Sequence, residues 1–224
     1  FMIVLGTVLL NATTARFFAK IVGVFLKKSD AILLVGASKA VRLIALFLKE
    51  KGKRVILIDS NKNFIQEALN LELEAFKVDV YDDELTNNIE LNDVGYLIAL
   101  TGSDQVNMHA LNKYSEDFGE QGAYKMASSK EITEASGRER ESFFTPYDDY
   151  INLSEAYREN PTINEVNIVD QKEYKSLLEK FSKEEKSIPL FIENKQGIYL
   201  LPEFEKNNHA KENIKLFYLG KVLN

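Results

Sequence analysis

Gly36, Ser38 and Asp59 are the residues whose types and spacing point to chemistry, and that chemistry is recognition of a nucleotide. Gly36 ends the apolar run Ala31-Ile32-Leu33-Leu34-Val35; Asp59 ends Val55-Ile56-Leu57-Ile58, 23 positions later. At that spacing a carboxylate at the end of a second strand reaches an adenosine ribose, while a glycine turn lets a helix N-terminus face a phosphate. The dinucleotide fingerprint wants glycine at 36, 38 and 41, and this chain has Gly36, Ser38 and Val41. Gly36 can make the tight turn. Ser38 is small enough for close approach, and its hydroxyl can cap the helix or donate to a phosphate oxygen. Val41 holds the helix further from the strand. An ordinary strand-to-helix corner with a serine cap has the same Gly36-Ala37-Ser38 pattern, so the later strand ends decide between the two readings.

Those ends agree. The apolar strand Gly95-Tyr96-Leu97-Ile98-Ala99-Leu100 runs into Thr101-Gly102-Ser103-Asp104, and Glu74-Ala75-Phe76-Lys77-Val78 runs into Asp79. Helices are expected from Ser38 to about Lys51, over Asn63–Leu71, over Asp82–Ile89, and from an Asp104 cap to about Phe118. Tyr124-Lys125-Met126-Ala127 reads as a fifth strand and Phe143-Phe144-Thr145-Pro146 as a sixth. Strand–helix alternation with short connections predicts an α/β fold: a Rossmann-like parallel sheet with helices on both faces. Ligands on such sheets sit beyond the carboxyl ends of the strands, where Gly36, Asp59, Asp79 and Thr101 all fall.

Composition removes other classes. The net charge of −6 and the scatter of lysines among carboxylates leave no basic face for nucleic acid. There is no cysteine, and His109 and His209 are far apart, so no thiolate or histidine metal centre is expected. Asp82-Asp83-Glu84 and Asp148-Asp149 read as solvated caps rather than metal ligands. His109 reads as a packed or surface histidine, and Lys125 can meet either a phosphate or a neighbouring carboxylate. The alternative to a binding domain is an NAD-dependent oxidoreductase of the Rossmann class. Val35-Gly36-Ala37-Ser38-Lys39 resembles the glycine loop of short-chain dehydrogenases, but none of the ten tyrosines has lysine four positions later. Without that lysine nothing lowers a tyrosine pKa from about 10 to a working value.

Two flanking regions differ from this centre. Phe1 to Ala15 carries no charge, and Arg16, Lys20, Lys27 and Lys28 come next. A full membrane span needs roughly 20 apolar residues, so 1–26 is expected to hold the end of one and a linker, in a fragment or processed product. Cations before Asp30 place the domain that begins there on the cytoplasmic side. Gly137-Arg138-Glu139-Arg140-Glu141 is a charge run, and Arg158-Glu159-Asn160-Pro161 reads as a helix stop or a linker. The expected division is 30–150 for the Rossmann-like domain and 160–224 for a small α+β module. That module would hold strands at Glu165–Val169, Ile188–Ile192, Gly197–Leu201 and Ile214–Leu219, and a helix at Gln171–Phe181.

Together these pieces resemble a known family. Gly36-Ala37-Ser38 with Arg42 and Ala45, Ile58-Asp59 with Asn61, Val78-Asp79, and Thr101-Gly102-Ser103-Asp104 with Asn107 resemble the nucleotide-binding domain of the RCK (TrkA-type) family. Such domains regulate ion channels and transporters. Ile188–Ile192 and Lys215–Lys221 are similar to that family's companion C-terminal module. Gly6-Thr7-Val8-Leu9-Leu10-Asn11-Ala12-Thr13-Thr14-Ala15 resembles the end of the last membrane segment of NhaP-like sodium/proton exchangers. The resemblance implies a non-catalytic cofactor, NAD(H) or an adenine nucleotide such as ATP or AMP. Its expected contacts are Gly36, Ala37, Ser38, Lys39 and Arg42 at the first corner, with Asp59, Ser60 and Asn61 at the second. Asp79 and Val80 come at the third, then Thr101, Gly102, Ser103 and Asn107 at the fourth, and Lys125 beside them. It further implies a cell-membrane antiporter of monovalent cations and protons, with this region on its cytoplasmic face as a regulatory tail. The expected partners are the membrane domain of the same polypeptide and a second copy, paired through the Rossmann-like domain.

Overall fold

Continuous apolar runs become the strands of a sheet buried on both faces. The first, β1 (Ala31–Val35), has every residue buried, as does β4 (Val94–Ala99), the pattern of parallel strands covered by helices on each side. The computed structural model describes residues 14, 29–82, 85, 89–128, 149–181, 187–206 and 212–222. Apart from Thr14 and Ser29, the expected membrane-helix end and linker lie outside these residues, as do the 137–141 charge run and the strand at 143–146. So does most of the helix expected over 82–89. Among the described residues no helix is long and apolar enough to cross a membrane.

Around β1 the chain lays down α1 (Lys39–Glu50), β2 (Val55–Asp59), α2 (Lys62–Asn70), β3 (Glu74–Lys77), then β4, α3 (Asp104–Phe118) and β5 (Gly122–Lys125). The five strands pair in the order β3-β2-β1-β4-β5, all in parallel. This is the Rossmann-like α/β fold expected from the alternation. The order reverses between β1 and β4, so the crevice at their carboxyl ends is a topological switch point. One strand sits earlier than its sequence pattern indicated: β5 begins at Gly122 rather than Tyr124. The cap of α3 is Ser103, whose Oγ accepts from Val106 N at 3.4 Å, and Asp104 is the first helical residue rather than the cap.

Beyond Asp149 come α4 (Tyr150–Glu159), β6 (Ile163–Ile168), α5 (Gln171–Phe181), β7 (Ser187–Asn194), β8 (Gly197–Leu200), α6 (Leu201–Lys206) and β9 (Ile214–Gly220). The four strands form an antiparallel sheet in the order β6-β9-β7-β8. Of two helices here, the sequence marked only the ends of the first, with a cap at Asp149 and a stop at 158–161, and gave no sign of the second. The α4 stripe is thin, with only Leu153 and Ala156 buried, and α6 is a six-residue turn of helix directly after β8.

The two sheets share one hydrophobic cluster. Phe47 on α1 stacks on Phe191 of β7 at 5.3 Å between centroids and tilts against Phe217 of β9 at 4.9 Å. Lys51, just past α1, pairs with Glu193 at 2.9 Å and lies 4.5 Å from the Phe217 ring centroid. Tyr96 of β4 donates to Glu203 of α6 at 2.9 Å. Arg54, next to Asp93 and chelated by Glu74, ties together the amino-terminal ends of β2, β3 and β4, and those carboxylates raise its pKa further, the Glu74 hydrogen bond foremost.

Burial raises three tyrosine hydroxyls. Tyr124 is pushed up to about 12, by desolvation first and then by Glu203. Tyr96 and Tyr174 rise too, by desolvation and then by Glu203 and Glu205 respectively. In the unfolded chain each ionises near about 10, so above that pH the folded state holds protons the unfolded state has released. Stability should therefore be level up to about pH 10 and fall as pH rises through about 12. Denaturant midpoints from pH 8 to 12 check this; a midpoint that holds or rises above pH 10 would contradict it.

Candidate functional site

The site is built from the turns after β1, β2, β3 and β4. Gly36 leaves β1 at φ 111°, a conformation L side chains rarely adopt. A Cβ there would also lie 3.0 Å from Leu100 O, the last peptide before the β4 turn. Glycine thus lets the β1 and β4 ends close on one another. Ser38 then caps α1, its Oγ accepting weakly from Val41 N at 3.5 Å. The α-helical ladder leaves the N–H groups of Lys39 and Ala40 without intrahelical acceptors, and they carry the positive end of the helix dipole.

Asp59 ties two corners together. Its Oδ2 accepts from Ala37 N at 2.8 Å and its Oδ1 from Asn61 N at 2.8 Å. A carboxylate offers about four lone-pair sites, so two remain for further donors. This fits the diol of a ribose, which needs two acceptors at one carboxylate. Asn61 itself caps α2, accepting from Asn63 N at 2.9 Å.

The turn after β4 is set by Asn107, which is 2 % exposed. Its Oδ1 accepts from Thr101 N at 3.0 Å and from Thr101 Oγ1 at 2.7 Å, while its Nδ2 donates to Thr101 O at 3.0 Å. Every polar group of Thr101 is thereby held, which fixes the rim of the crevice. Beyond it Lys125, though buried, pairs with Asp104 at 3.2 Å.

These corners enclose a cavity of about 300 Å³. Of the residues expected from sequence, Gly36, Ala37, Ser38, Asp59, Ser60, Asp79, Val80, Thr101, Gly102 and Ser103 line it together. Lys39 is exposed beside the mouth. Arg42 is turned away: it donates to Ala37 O and pairs with Glu67, 5 % exposed under the corner it braces. Asn61, Asn107 and Lys125 also stand outside the cavity, as cap, brace and ion-pair partner respectively. Phe64, Val78, Tyr81, Val106 and Tyr150 line it as well, outside the expected set. Tyr81 packs on His109 with ring centroids 4.4 Å apart. Apart from Tyr150, these lie within a few residues of the strand ends, and reading each turn two or three residues further finds them. Tyr150 comes from α4, and no local signal marks it.

Chemically the cavity offers hydrogen-bond acceptors at Asp59 and Asp79, hydroxyls at Ser38, Ser60 and Thr101, and an apolar wall of Val78, Val80 and Val106. Among the described residues no lysine or arginine lines it, so any phosphate would be held by helix N-termini. Among the described residues no group of histidines or acids is arranged to hold a metal ion.

No curated protein matches the chain. Among solved structures, the NAD(P)-binding domain of an exopolyphosphatase-related protein from Archaeoglobus fulgidus is 20% identical, with a TM-score of 0.39; the match covers 46% of this chain and 77% of that one. The GsuK RCK domain is 12% identical, with a TM-score of 0.42 over 88% of this chain. The present chain spans 45% of that protein's length. Likenesses this loose carry no argument about function. The family comparison is more direct: residues 32–135 match the TrkA-N domain. That segment holds the five-stranded sheet from Ile32 onward and every lining residue of the cavity except Tyr150, so the likeness to the TrkA-N domain falls on the part of the chain that builds the site.

Proposed function

We propose that the cavity binds an adenine nucleotide or NAD(H) without turning it over, and that binding regulates a membrane transporter of which this chain is the cytoplasmic tail. The observation that carries the ligand half is Asp59 at the end of β2. It stands beside the Gly36 turn at the sheet's switch point, with two carboxylate lone-pair sites left for a ribose. The ribose diol donates to Asp59, the base lies against Val78, Val80 and Val106, and the phosphate faces the start of α1. A 2′-phosphate would set a dianion against Asp59, which favours NAD(H) or an adenine nucleotide over NADP(H).

The regulatory half rests on the TrkA-N match together with the sequence resemblance of the first residues to the last segment of NhaP-like exchangers. In this reading the transported species are a monovalent cation and protons, the protein sits in the cell membrane, and the domain pairs with a second copy. Ligand would shift transport only by binding two conformations of the domain with different affinity. The shared cluster around Phe47 gives the two sheets a packed contact through which such a change would spread.

A thermal melt of the chain against ADP, ATP, AMP, NADH and NADPH tests the ligand. At a hundred times Kd a ligand specific for the folded state adds about 2.7 kcal/mol, so an adenine nucleotide or NADH should raise Tm by several degrees and NADPH by less. No shift with any of them would overturn the reading. In the same samples NADH should not be consumed in the presence of carbonyl substrates. Steady protein-dependent oxidation would favour the oxidoreductase instead.

A further inference from the structure

A second cavity, of about 220 Å³, opens on the other side of the β4 turn, lined by Asp104, Asn107, Met126, Ser128 and Asp149 among others. Its common wall with the first consists of Thr101, Gly102 and Tyr150. A dinucleotide on such a sheet straddles the switch point, one nucleoside on the β1–β2 side and the other on the β4–β5 side. Its pyrophosphate must therefore cross this wall.

We propose, resting on the nucleotide reading, that Tyr150 sets the length of the ligand: the cleft admits one nucleoside with its phosphate and shuts out the second half of a dinucleotide. The ring lies directly on the backbone that a dinucleotide would cross. A Cβ on Gly102 would be 3.1 Å from Tyr150 Cε1 and 3.2 Å from Cδ1, so ring and turn are already in contact. The ring is held from behind. Asp149, 8 % exposed, caps α4 by accepting from Ile151 N and Asn152 N at 2.9 Å each, and Leu153 and Ala156 anchor the helix in the cluster shared by both sheets.

Charge acts in the same direction. The first cavity contains Asp59 and Asp79, the second Asp104 and Asp149. Lys125, close to the second, is engaged by Asp104. A bridging pyrophosphate would meet carboxylates on both sides of the wall. The second cavity alone is also smaller than the roughly 300–1,000 Å³ of typical small-molecule sites.

Calorimetric titration of the chain with ADP, ADP-ribose and NADH tests this. Wild type should bind ADP at least tenfold tighter than ADP-ribose or NADH. Tyr150→Ala should raise the ratio of NADH to ADP affinity at least tenfold, while Tyr150→Phe, which keeps the ring, should leave that ratio as in wild type. NADH binding as tightly as ADP to wild type, or an unchanged ratio in Tyr150→Ala, would overturn the proposal while leaving the nucleotide reading in place. Should Tyr150→Ala fail to fold, the wild-type ratio decides alone. Binding of none of the three to wild type would remove the nucleotide reading, and this proposal with it.

Discussion

Replacing Asp59 with alanine should lower the affinity for an adenine nucleotide by about tenfold to a hundredfold. Losing a charged hydrogen-bond partner costs roughly 1.5–3 kcal/mol, which sets that range. The structure adds a second consequence. Because Asp59 also receives Ala37 N and Asn61 N at 2.8 Å each, the alanine variant frees the glycine corner and the start of α2. Stability should fall as well, by about 1–3 kcal/mol if the freed N–H groups stay buried. Asp59→Asn separates the two effects in part: its single acceptor oxygen can serve only one of the two N–H groups, its NH2 faces the other, and the charge is gone, so it should keep part of the stability that alanine loses and still lose most of the affinity. Titration and denaturant unfolding on both variants check this. Full affinity in Asp59→Ala would mean that the ribose is not at β2.

The largest loss of stability is expected from Phe47→Ala. Its ring is half-buried but bridges the sheets, stacked on Phe191 and tilted against Phe217. Phenylalanine-to-alanine changes in cores cost about 3–5 kcal/mol, and partial exposure puts this one near the lower end. The contact also orients Lys51, whose ammonium group lies over Phe217 and pairs with Glu193, so the truncation loosens an ion pair besides leaving a gap. A shift of the urea midpoint with separation into two transitions, one for each sheet, is the expected result. A loss under about 1 kcal/mol with a single unchanged transition would show that the sheets do not depend on this ring.

The parallel sheet was legible because its chemistry is local. Strands buried on both faces read as unbroken apolar runs, and the strand ends here carry polar or glycine turn residues: Gly36, Asp59, Asp79 and Thr101. The antiparallel module was legible for a related reason, its strands Ile188–Ile192 and Ile214–Leu219 being as apolar as those of the first sheet. What escaped depends on contacts distant in sequence. Arg42 matched a ligand-binding pattern, yet its partners are Ala37 O and Glu67, 25 residues away. Lys125 meets a carboxylate, one of the two partners its position allowed, but that the carboxylate is Asp104 of the preceding helix was not legible. Tyr150 reaches Gly102 only because α4 folds back over the sheet, and nothing near Tyr150 in sequence encodes that return. Asp149 was legible as a cap, and it does cap α4, though at 8 % exposure it is buried rather than solvated.

The most direct test of the central claim is amide hydrogen exchange with and without saturating ADP, read peptide by peptide. Ligand in the switch-point crevice should slow exchange at 36–40, 59–61 and 101–103, the corners that β1, β2 and β4 present to the cavity, and leave β6 and β8 unchanged. No protection at those corners, or protection confined to the antiparallel sheet, would contradict it.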